Sequence, residues 1–352
     1  MSYEITIESI GQAVQVREGQ TVLDACLRAG IWLPHACCHG LCATCKVQVL
    51  EGECDHGEAS PFALMEFERD EGKILACCAT AQSDLVIEAD IEEDPDALYL
   101  PLDDFLGEVV ETRMLTPTIR GVWLAPDHPI SFQAGQYVML QVPGVEGARA
   151  FSIASQPGDA RIELHIRKVE EGAATTWLHE QLKVGDRLAF TGPFGRFFVR
   201  KSTTQQAILV AGGSGLSSPK SMLLDLLAEG ADYPITLLQG ARNEEELYYR
   251  DLFERLAARH ANFSYVPVLS AAPDDSAWSG ARGYVHEELR RCFDNDFRGS
   301  KAYLCGPPPM IESTIATLMQ GRLFERDIYT EKFFTAADAS APARRSPLFK
   351  AI

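Results

Sequence analysis

The sequence predicts a multidomain protein with three modules: a small mixed α/β module, an antiparallel β-barrel and an α/β module built on a parallel sheet. Three observations predict this order. Eight of the ten cysteines lie before residue 79. Short alternating strands with turn signals fill the middle of the chain. Beyond residue 205, buried-strand patterns alternate with helical segments. A length of 352 residues also fits two or three domains.

The net charge of −18 lies mostly in the first module. Residues 1–100 carry 19 acidic and 5 basic side chains, a net charge of −14. Because phosphate binding needs a basic surface, we expect no nucleic-acid partner. The acidic surface can serve simple solubility, or it can steer the protein toward a basic patch on another protein.

The N-terminus alternates polar and apolar residues and has no basic segment, so no signal peptide is predicted. Apolar runs such as residues 207–211 are far shorter than the roughly 20 residues that a membrane-spanning helix needs. From these features we expect a cytoplasmic protein with no membrane partner.

The cysteine spacing predicts a metal centre in the first module. Cys37, Cys42 and Cys45 form the pattern C-x4-C-x2-C, and Cys77 follows after a longer gap. This is the plant-type [2Fe–2S] pattern, in which one loop supplies three thiolates and a distant segment supplies the fourth. Zinc is the alternative, because thiolates also bind zinc. Cys38 is adjacent to Cys37, and Cys78 is adjacent to Cys77, so which member of each doublet is the ligand is open. The spacing favours Cys37, and the sequence context favours Cys77.

Strand, strand, helix, loop and strand follow one another in the first module, which is the order of a β-grasp domain. Two alternating segments joined near Gly11 predict a hairpin. Thr21 predicts the start of a helix and Gly30 its end, and Cys26 falls on the apolar side of that helix as a core residue. A charged, proline-bearing linker then ends the module, which we predict at residues 1–95.

The middle module, predicted at residues 103–203, contains the tetrapeptide Arg149-Ala-Phe-Ser152. In a strand, Arg149 and Phe151 project from the same face. The guanidinium suits a pyrophosphate, and the Phe151 ring suits a planar ligand such as a flavin. The Ser152 hydroxyl could bond the N5 region of the flavin.

Two further features of the middle module are candidates for cofactor binding. His165 and Arg167 lie on the polar face of an alternating strand. About twenty residues after the tetrapeptide, a glycine-led stretch from Gly172 to Thr175 begins a helix whose backbone N–H groups can cradle phosphate. An ordinary turn with an N-cap is the alternative.

The last module, predicted at residues 205–334, starts with a buried strand that runs into Gly212-Gly213-Ser-Gly215. Strand, glycine turn and helix together allow the backbone to approach a dinucleotide, although this is not a complete G-x-G-x-x-G. A helix is predicted over residues 245–256. Later, Cys305 and Gly306 end a strand at the edge where such folds bind ligands; simple packing is the alternative.

Taken in order, these motifs resemble the ferredoxin–NAD(P)H reductase superfamily. More narrowly, the chain is similar to iron–sulfur flavoprotein reductases with an N-terminal ferredoxin, which serve bacterial multicomponent oxygenases of aromatic compounds and methane. The resemblance extends to about residue 334. In these relatives a proline usually stands three residues after the last glycine of the loop, but here Pro219 is four after Gly215.

The resemblance implies FAD and a [2Fe–2S] cluster as cofactors, NADH as substrate, and an oxygenase component as partner. It implies roles at the reaction centre for Ser152, Cys305 and a late aromatic residue, Phe333 or Phe334, that covers the flavin. The residues after that aromatic, 335–352, are rich in Ala, Ser and Pro and predict a flexible tail.

The preference for NADH can be argued from charge. Arg242 could bind the 2′-phosphate of NADPH, but Glu244, Glu245 and Glu246 follow it and would repel that group. The predicted path then runs from NADH to FAD, to the cluster and to the oxygenase, since a flavin can accept two electrons and release them singly. The alternatives are a reductase of a ring-hydroxylating dioxygenase or another acceptor and, from a different class, a zinc-binding scaffold.

Overall fold

The computed structural model describes residues 2–91, 94–203, 205–273 and 276–333. The predicted tail and Phe334 lie outside these ranges. The chain divides into two compact units. The first comprises the residues up to Asp104 together with Thr191–Arg196, and the second comprises Phe105–Phe190 and the residues from Phe197 onward. Among the described residues, no helix is long and apolar enough to cross a membrane.

The first unit is a five-stranded mixed sheet with a helix packed against it. Its strand order is β2-β1-β7-β3-β5, with a separate β4-β6 pair. The elements are β1 Ser2–Ile7, β2 Gln12–Arg17, α1 Val22–Arg28, β3 Lys46–Glu51, β4 Cys54–Asp55, α2 Glu66–Asp70, β5 Lys73–Leu75, β6 Thr80–Ala81 and β7 Leu85–Glu88. The predicted hairpin and helix are confirmed, and Thr21 Oγ1 accepts the Asp24 N–H at 3.2 Å as the helix cap.

Within the first unit, the cysteine loop is held by a buried histidine. His35 Nε2 accepts a hydrogen bond from the Gly195 N–H at 3.2 Å, and Nδ1 lies 2.8 Å from the Leu33 carbonyl oxygen. Burial lowers the pKa of His35 to about 4, so the ring is neutral and can accept at Nε2. Residues 191–196, distant in sequence, therefore complete the core of this unit.

The second unit begins with a nearly closed antiparallel barrel, as predicted. Its strand order is β11-β10-β13-β8-β9-β12, and an isolated bridge between Ile153 and Leu164 joins the two edges. The alternating residues Ile162, Leu164 and Ile166 fill the interior. The elements are β8 Asp103–Met114, β9 Ile119–Pro126, β10 Tyr137–Leu140, β11 Arg149–Ser152, β12 Ile162–Arg167, α3 Ala173–Glu180 and β13 Arg187–Phe194.

A six-stranded parallel sheet completes the second unit, with the order β17-β16-β15-β14-β18-β19. Strand β14 lies between β15 and β18, so the chain order reverses there and ligand-binding loops meet at the carboxyl ends of the strands. The elements are β14 Gln206–Gly212, α4 Ser217–Ala228, β15 Ile235–Ala241, α5 Arg250–Arg259, β16 Phe263–Leu269, β17 Ala281–Arg282, α6 Val285–Cys292, β18 Ser300–Gly306, α7 Pro308–Gln320 and β19 Ile328–Lys332.

The helix predicted over residues 245–256 is shorter than expected. Glu244–Glu246 form a single 3₁₀ turn, and α5 begins only at Arg250. The interruption has a physical cause: Tyr248 is buried, and Tyr249 adopts a left-handed φ of 59°. The Tyr248 hydroxyl contacts His165 and Gly213, and the Tyr249 hydroxyl donates to Glu163. These contacts hold both residues outside a helical conformation, so the helix begins after them.

Candidate active site

The predicted cluster ligands come together at one end of the first unit. Cys38 and Ala43 have left-handed φ values of 56° and 60°, and these coil the loop that carries the first three cysteines. At Gly40, a Cβ atom would lie 2.7 Å from the Cys78 sulfur. Glycine is required there because the loop passes directly over the segment that carries the fourth predicted ligand, Cys77.

The predicted ligands contact one another. Cys37 hydrogen-bonds Cys42, and Cys77 hydrogen-bonds both Cys45 and Cys78. Within the described ranges, no three imidazole, thiol or carboxylate groups converge as ligands of a single ion. Three thiols on one loop and a fourth from a distant segment form the plant-type ligand arrangement. The donor set therefore fits the cluster. Cys78 Sγ lies 3.7 Å from Cys77 Sγ and remains the alternative in that doublet.

The predicted flavin strand is β11. Its Ser152 side chain is buried, while Phe151 is half-buried against the barrel core. The Arg149 guanidinium donates to the carbonyl oxygens of Glu146, Gly147 and Ala148 at 3.0–3.1 Å. These contacts hold the guanidinium at the start of the strand, on the loop that leads into it from β10.

A groove of about 600 Å³ lies between that loop and the first turns of α3. The predicted helix start is confirmed, since α3 begins at Ala173 with Gly172 as its N-cap. The Thr175 hydroxyl donates to the Gly172 carbonyl and accepts the Val169 N–H, both at 3.1 Å, so it shapes the turn. The groove is lined by Pro143, Gly144, Val145, Glu171, Ala173, Thr176, Trp177 and Gln181. An open groove at a helix N-terminus fits part of a phosphate-bearing cofactor.

The two nucleotide motifs of the parallel sheet meet directly. A Cβ atom on Gly215 would lie 2.6 Å from the backbone of Cys305 and from the Cα atom of Gly306. A Cβ atom on Gly212 would lie 2.6 Å from the Met310 sulfur. Glycines therefore let the ends of β14 and β18 come close, which places the two predicted nucleotide motifs side by side at the carboxyl ends of the strands, where such folds bind ligands.

A carboxylate that the sequence analysis did not single out joins the two halves of the site. Glu331 Oε2 accepts hydrogen bonds from Ser152 Oγ and Ser218 Oγ, both at 3.0 Å, and lies 3.7 Å from Cys305 Sγ. Burial raises the pKa of Glu331 to about 7. Burial also raises the pKa of Cys305, so this thiol stays protonated.

The only signal for Glu331 in the sequence is its position two residues before the predicted flavin cover, Phe333. The Phe333 N–H donates to the Gly306 carbonyl at 3.1 Å, which brings the end of the described chain beside the nucleotide motif.

The remaining two candidates lie at the junction of barrel and sheet. Arg167 approaches the glycine loop, since a Cβ atom on Gly213 would lie 3.4 Å from its Nη1. Both ring nitrogens of His165 are already occupied by protein groups, Glu163 at 2.8 Å and Tyr248 at 3.0 Å. In this structure His165 belongs to a buried network rather than to an open cofactor surface.

Comparisons with known proteins agree with this arrangement. The family model of a 2Fe-2S iron-sulfur cluster binding domain matches residues 5–82. The models of an oxidoreductase FAD-binding domain and an oxidoreductase NAD-binding domain match residues 116–199 and 209–315. The chain is 60% identical over 353 residues to the reductase component of phenol 2-monooxygenase from Pseudomonas sp. strain CF600, and the match covers 100% of both chains. This chain belongs to the family of ferredoxin-containing flavoprotein reductases.

Other members of this reductase family support the assignment. The phenol hydroxylase P5 protein of Acinetobacter pittii is 59% identical over 353 residues, again with 100% of both chains covered. The crystal structure of the cytochrome P450 reductase GcoB from Amycolatopsis matches with a TM-score of 0.86 at 34% identity, over 94% of this chain and 98% of the other. The chain is thus an oxidoreductase with FAD-binding, NAD-binding and [2Fe–2S] cluster-binding domains.

Proposed function

We propose that this chain is the NADH-dependent reductase component of a phenol-type bacterial multicomponent monooxygenase. The observation that carries the proposal is the carboxylate shared by Ser152 and Cys305. A hydroxyl from the predicted flavin strand and a thiol from the predicted nucleotide strand reach the same Glu331 oxygen. Ligands that lie against these two groups would be neighbours, as transfer of a hydride requires.

Each residue then has a limited task. Arg149 would bind the pyrophosphate of FAD, with Phe151 against the ring. Ser152 would hydrogen-bond the ring edge. The FAD, when bound, supplies the ability to accept electrons in pairs and release them singly. The protonated Cys305 thiol would offer a compact, uncharged contact for the nicotinamide. Glu331, with its pKa near 7, is able to hold a proton beside Ser152.

Electrons would leave through the first unit, where Cys37, Cys42, Cys45 and Cys77 would hold the cluster. The acidic surface of this unit supports a partner with basic side chains at its docking face. None of the ten cysteines, all within the described ranges, forms a disulfide, which supports a reducing compartment, and we place the protein in the cytoplasm. The proposed modules are residues 1–95, 103–203 and 205–334.

The preference for NADH forms part of this proposal. Arg242 and Glu245 are exposed just beyond the end of β15, and Glu244 bonds Arg250 at 3.1 Å. The negative charges beside Arg242 would oppose the 2′-phosphate of NADPH. We expect NADPH to reduce the flavin at least tenfold less efficiently than NADH. Equal efficiency with the two nucleotides would contradict this assignment.

The deciding experiment is an anaerobic titration of purified protein with NADH. We expect the flavin and iron–sulfur absorbance to bleach together, with two electrons taken up by the flavin and one by the cluster. In a separate aerobic assay, NADH, phenol and O₂ together with this protein and the oxygenase component of phenol 2-monooxygenase from strain CF600 should give hydroxylated phenol. A protein that holds flavin and iron but stays oxidised after NADH addition would refute the proposal. Turnover with a ring-hydroxylating dioxygenase alone would redirect it to that class.

A further inference from the structure

A buried ion pair joins the flavin barrel to the nucleotide sheet. Lys220 Nζ on α4 lies 2.7 Å from Glu163 Oε2 on β12, and their side chains are only 5% and 6% exposed. Lys220 Nζ also donates to the Ala154 carbonyl at 2.8 Å. The next residue, Ser221, donates from Oγ to the Ser155 carbonyl at 2.6 Å. The lysine helix is therefore tied to two separate barrel segments.

The ion pair continues into the glycine loop through hydrogen bonds. His165 Nε2 lies 2.8 Å from Glu163 Oε1, and the Tyr248 hydroxyl lies 3.0 Å from His165 Nδ1. The Tyr248 hydroxyl also lies 3.2 Å from the Gly213 carbonyl oxygen. Gly213 belongs to the glycine turn between β14 and α4. A continuous chain of contacts thus runs from Lys220 to the loop predicted to bind the dinucleotide.

One carboxylate is at the centre of this network. Burial raises the pKa of Glu163, but the hydrogen bond with His165 and the charge of Lys220 outweigh it and hold that pKa well below its usual range. Burial lowers the pKa of His165, so its ring is neutral. The Tyr249 hydroxyl donates to Glu163 and accepts from Arg113 Nη2 at 3.1 Å. Glu163 is therefore a carboxylate bound from three sides.

Stability alone does not explain such a pair. Desolvation offsets most of the attraction between buried charges, and well-packed apolar side chains would stabilise a junction at least as well. A charged pair with directed hydrogen bonds does, however, disfavour every junction geometry in which the charges separate. Here the geometry matters, since Ala154 is two residues after Ser152, and α4 begins at Ser217, two residues after Gly215.

We propose that Lys220 and Glu163 are positioning residues for hydride transfer. Their pair sets the register between the Ser152 strand and the glycine loop, and thereby the position of the nicotinamide relative to the flavin. Neither residue exchanges a proton or an electron in the reaction. This inference rests on the proposed function, because it concerns the step in which NADH reduces the flavin.

The test compares Lys220→Met with Lys201→Met. Lys201 also contacts α4, through Asp225 at 2.7 Å, but its side chain is 38% exposed and its ion-pair partners are Asp225 and Glu229, neither of them on the barrel. Two measurements are made on each variant: the rate of flavin bleaching at saturating NADH under anaerobic conditions, and hydrogen–deuterium exchange of the backbone amides of residues 212–216 without NADH. Bound FAD and the melting temperature are recorded in parallel.

For Lys220→Met we expect flavin reduction at least tenfold slower than in the wild type and faster amide exchange in the glycine loop. For Lys201→Met we expect the reduction rate and the exchange rate to stay within twofold of the wild type. An unchanged reduction rate in Lys220→Met would overturn the inference. If the wild-type flavin itself is not reduced by NADH, the proposed function fails instead, which is a different result.

A second variant covers the case in which Lys220→Met does not fold. Lys220→Met combined with Glu163→Gln removes both charges and leaves no lone buried ion. We expect this double variant to regain stability and FAD content but to remain at least tenfold slow in flavin reduction. Recovery of the rate together with stability would mean that the pair is only structural, and would overturn the inference.

Discussion

The Ser152 hydroxyl donates a hydrogen bond to the Glu331 carboxylate across 3.0 Å, from the flavin barrel to the last strand of the parallel sheet. Ser218 binds the same carboxylate oxygen. Two hydroxyl donors do not offset the loss of water around this group, so its pKa rises to about 7. The carboxyl group at the centre of the site can therefore exist in both protonation states near neutral pH.

This pKa predicts a pH-dependent stability difference. A carboxyl whose folded-state pKa is raised stabilises the fold fully below its unfolded pKa, and this contribution is lost as pH rises through about 7. In FAD-free protein, the free energy of unfolding of Glu331→Gln relative to that of the wild type should rise by about 2 kcal/mol between pH 5 and pH 8. Chemical unfolding of both proteins at several pH values measures this difference. Glu312→Gln, at a carboxylate 3.4 Å from Lys332, is the control and should show no such gain.

The cysteine doublet predicts different outcomes for two adjacent substitutions. Cys77→Ser should lose most of the iron and the visible cluster spectrum, because the predicted ligand set of Cys37, Cys42, Cys45 and Cys77 would then have only three thiols. Cys78→Ser should keep both. Reduction of ferricyanide by NADH, which needs only the flavin, should survive in each variant. Iron analysis and absorbance spectra measure the difference, and the reverse pattern would make Cys78 the ligand.

Arg149 should be needed to retain FAD. Removal of a guanidinium from a pyrophosphate contact costs about 2 kcal/mol or more, so Arg149→Ala should bind FAD at least tenfold more weakly. Arg161→Ala is the matched control in the same barrel, since Arg161 is exposed and pairs only loosely with Glu111 at 3.4 Å. Equilibrium dialysis gives the dissociation constants, and equal values for both variants would remove Arg149 from the flavin site.

The charge of the first unit predicts a salt effect on electron exit. Reduction of cytochrome c, a small basic protein, should slow several-fold as salt rises from 20 to 300 mM, because screening shortens the reach of the acidic surface. Reduction of ferricyanide, a small anion, should not slow. Stopped-flow rates at constant pH measure both. A decrease of equal size for the two acceptors would indicate a general effect of salt on the enzyme.

Much of the fold follows from local pattern. The alternation of Ile162, Leu164 and Ile166 predicted their burial in the barrel, and Gly11 and Thr21 marked a turn and a helix cap that the structure confirms. The cysteine spacing predicted four thiols that the fold brings together. These features depend on residues close in sequence or on the chemistry of one side-chain type, so sequence alone carries them.

The rest depends on contacts between distant segments. On the opposite face of β12, the alternation of polar and apolar residues predicts that Glu163 and His165 are exposed to solvent. Both side chains are instead buried. The same contacts draw Tyr248 inward and shorten the helix predicted from residue 245. Glu331 lies 179 residues from Ser152 in sequence. No local pattern gives such a pairing, which is settled only when two modules pack.

The hydrogen bond from Gly195 to His35 has a consequence for protein engineering. A gene fragment that ends at the linker would encode the ferredoxin domain without the Gly195 amide that donates to His35. It would also lack Leu100, whose carbonyl oxygen accepts a hydrogen bond from Trp32 at 3.2 Å. We expect such a fragment to lose order beside the predicted cluster ligands. A chimera that takes the ferredoxin domain of one reductase into another should therefore also take residues 191–196 from the same donor protein, although they are not contiguous with that domain in sequence.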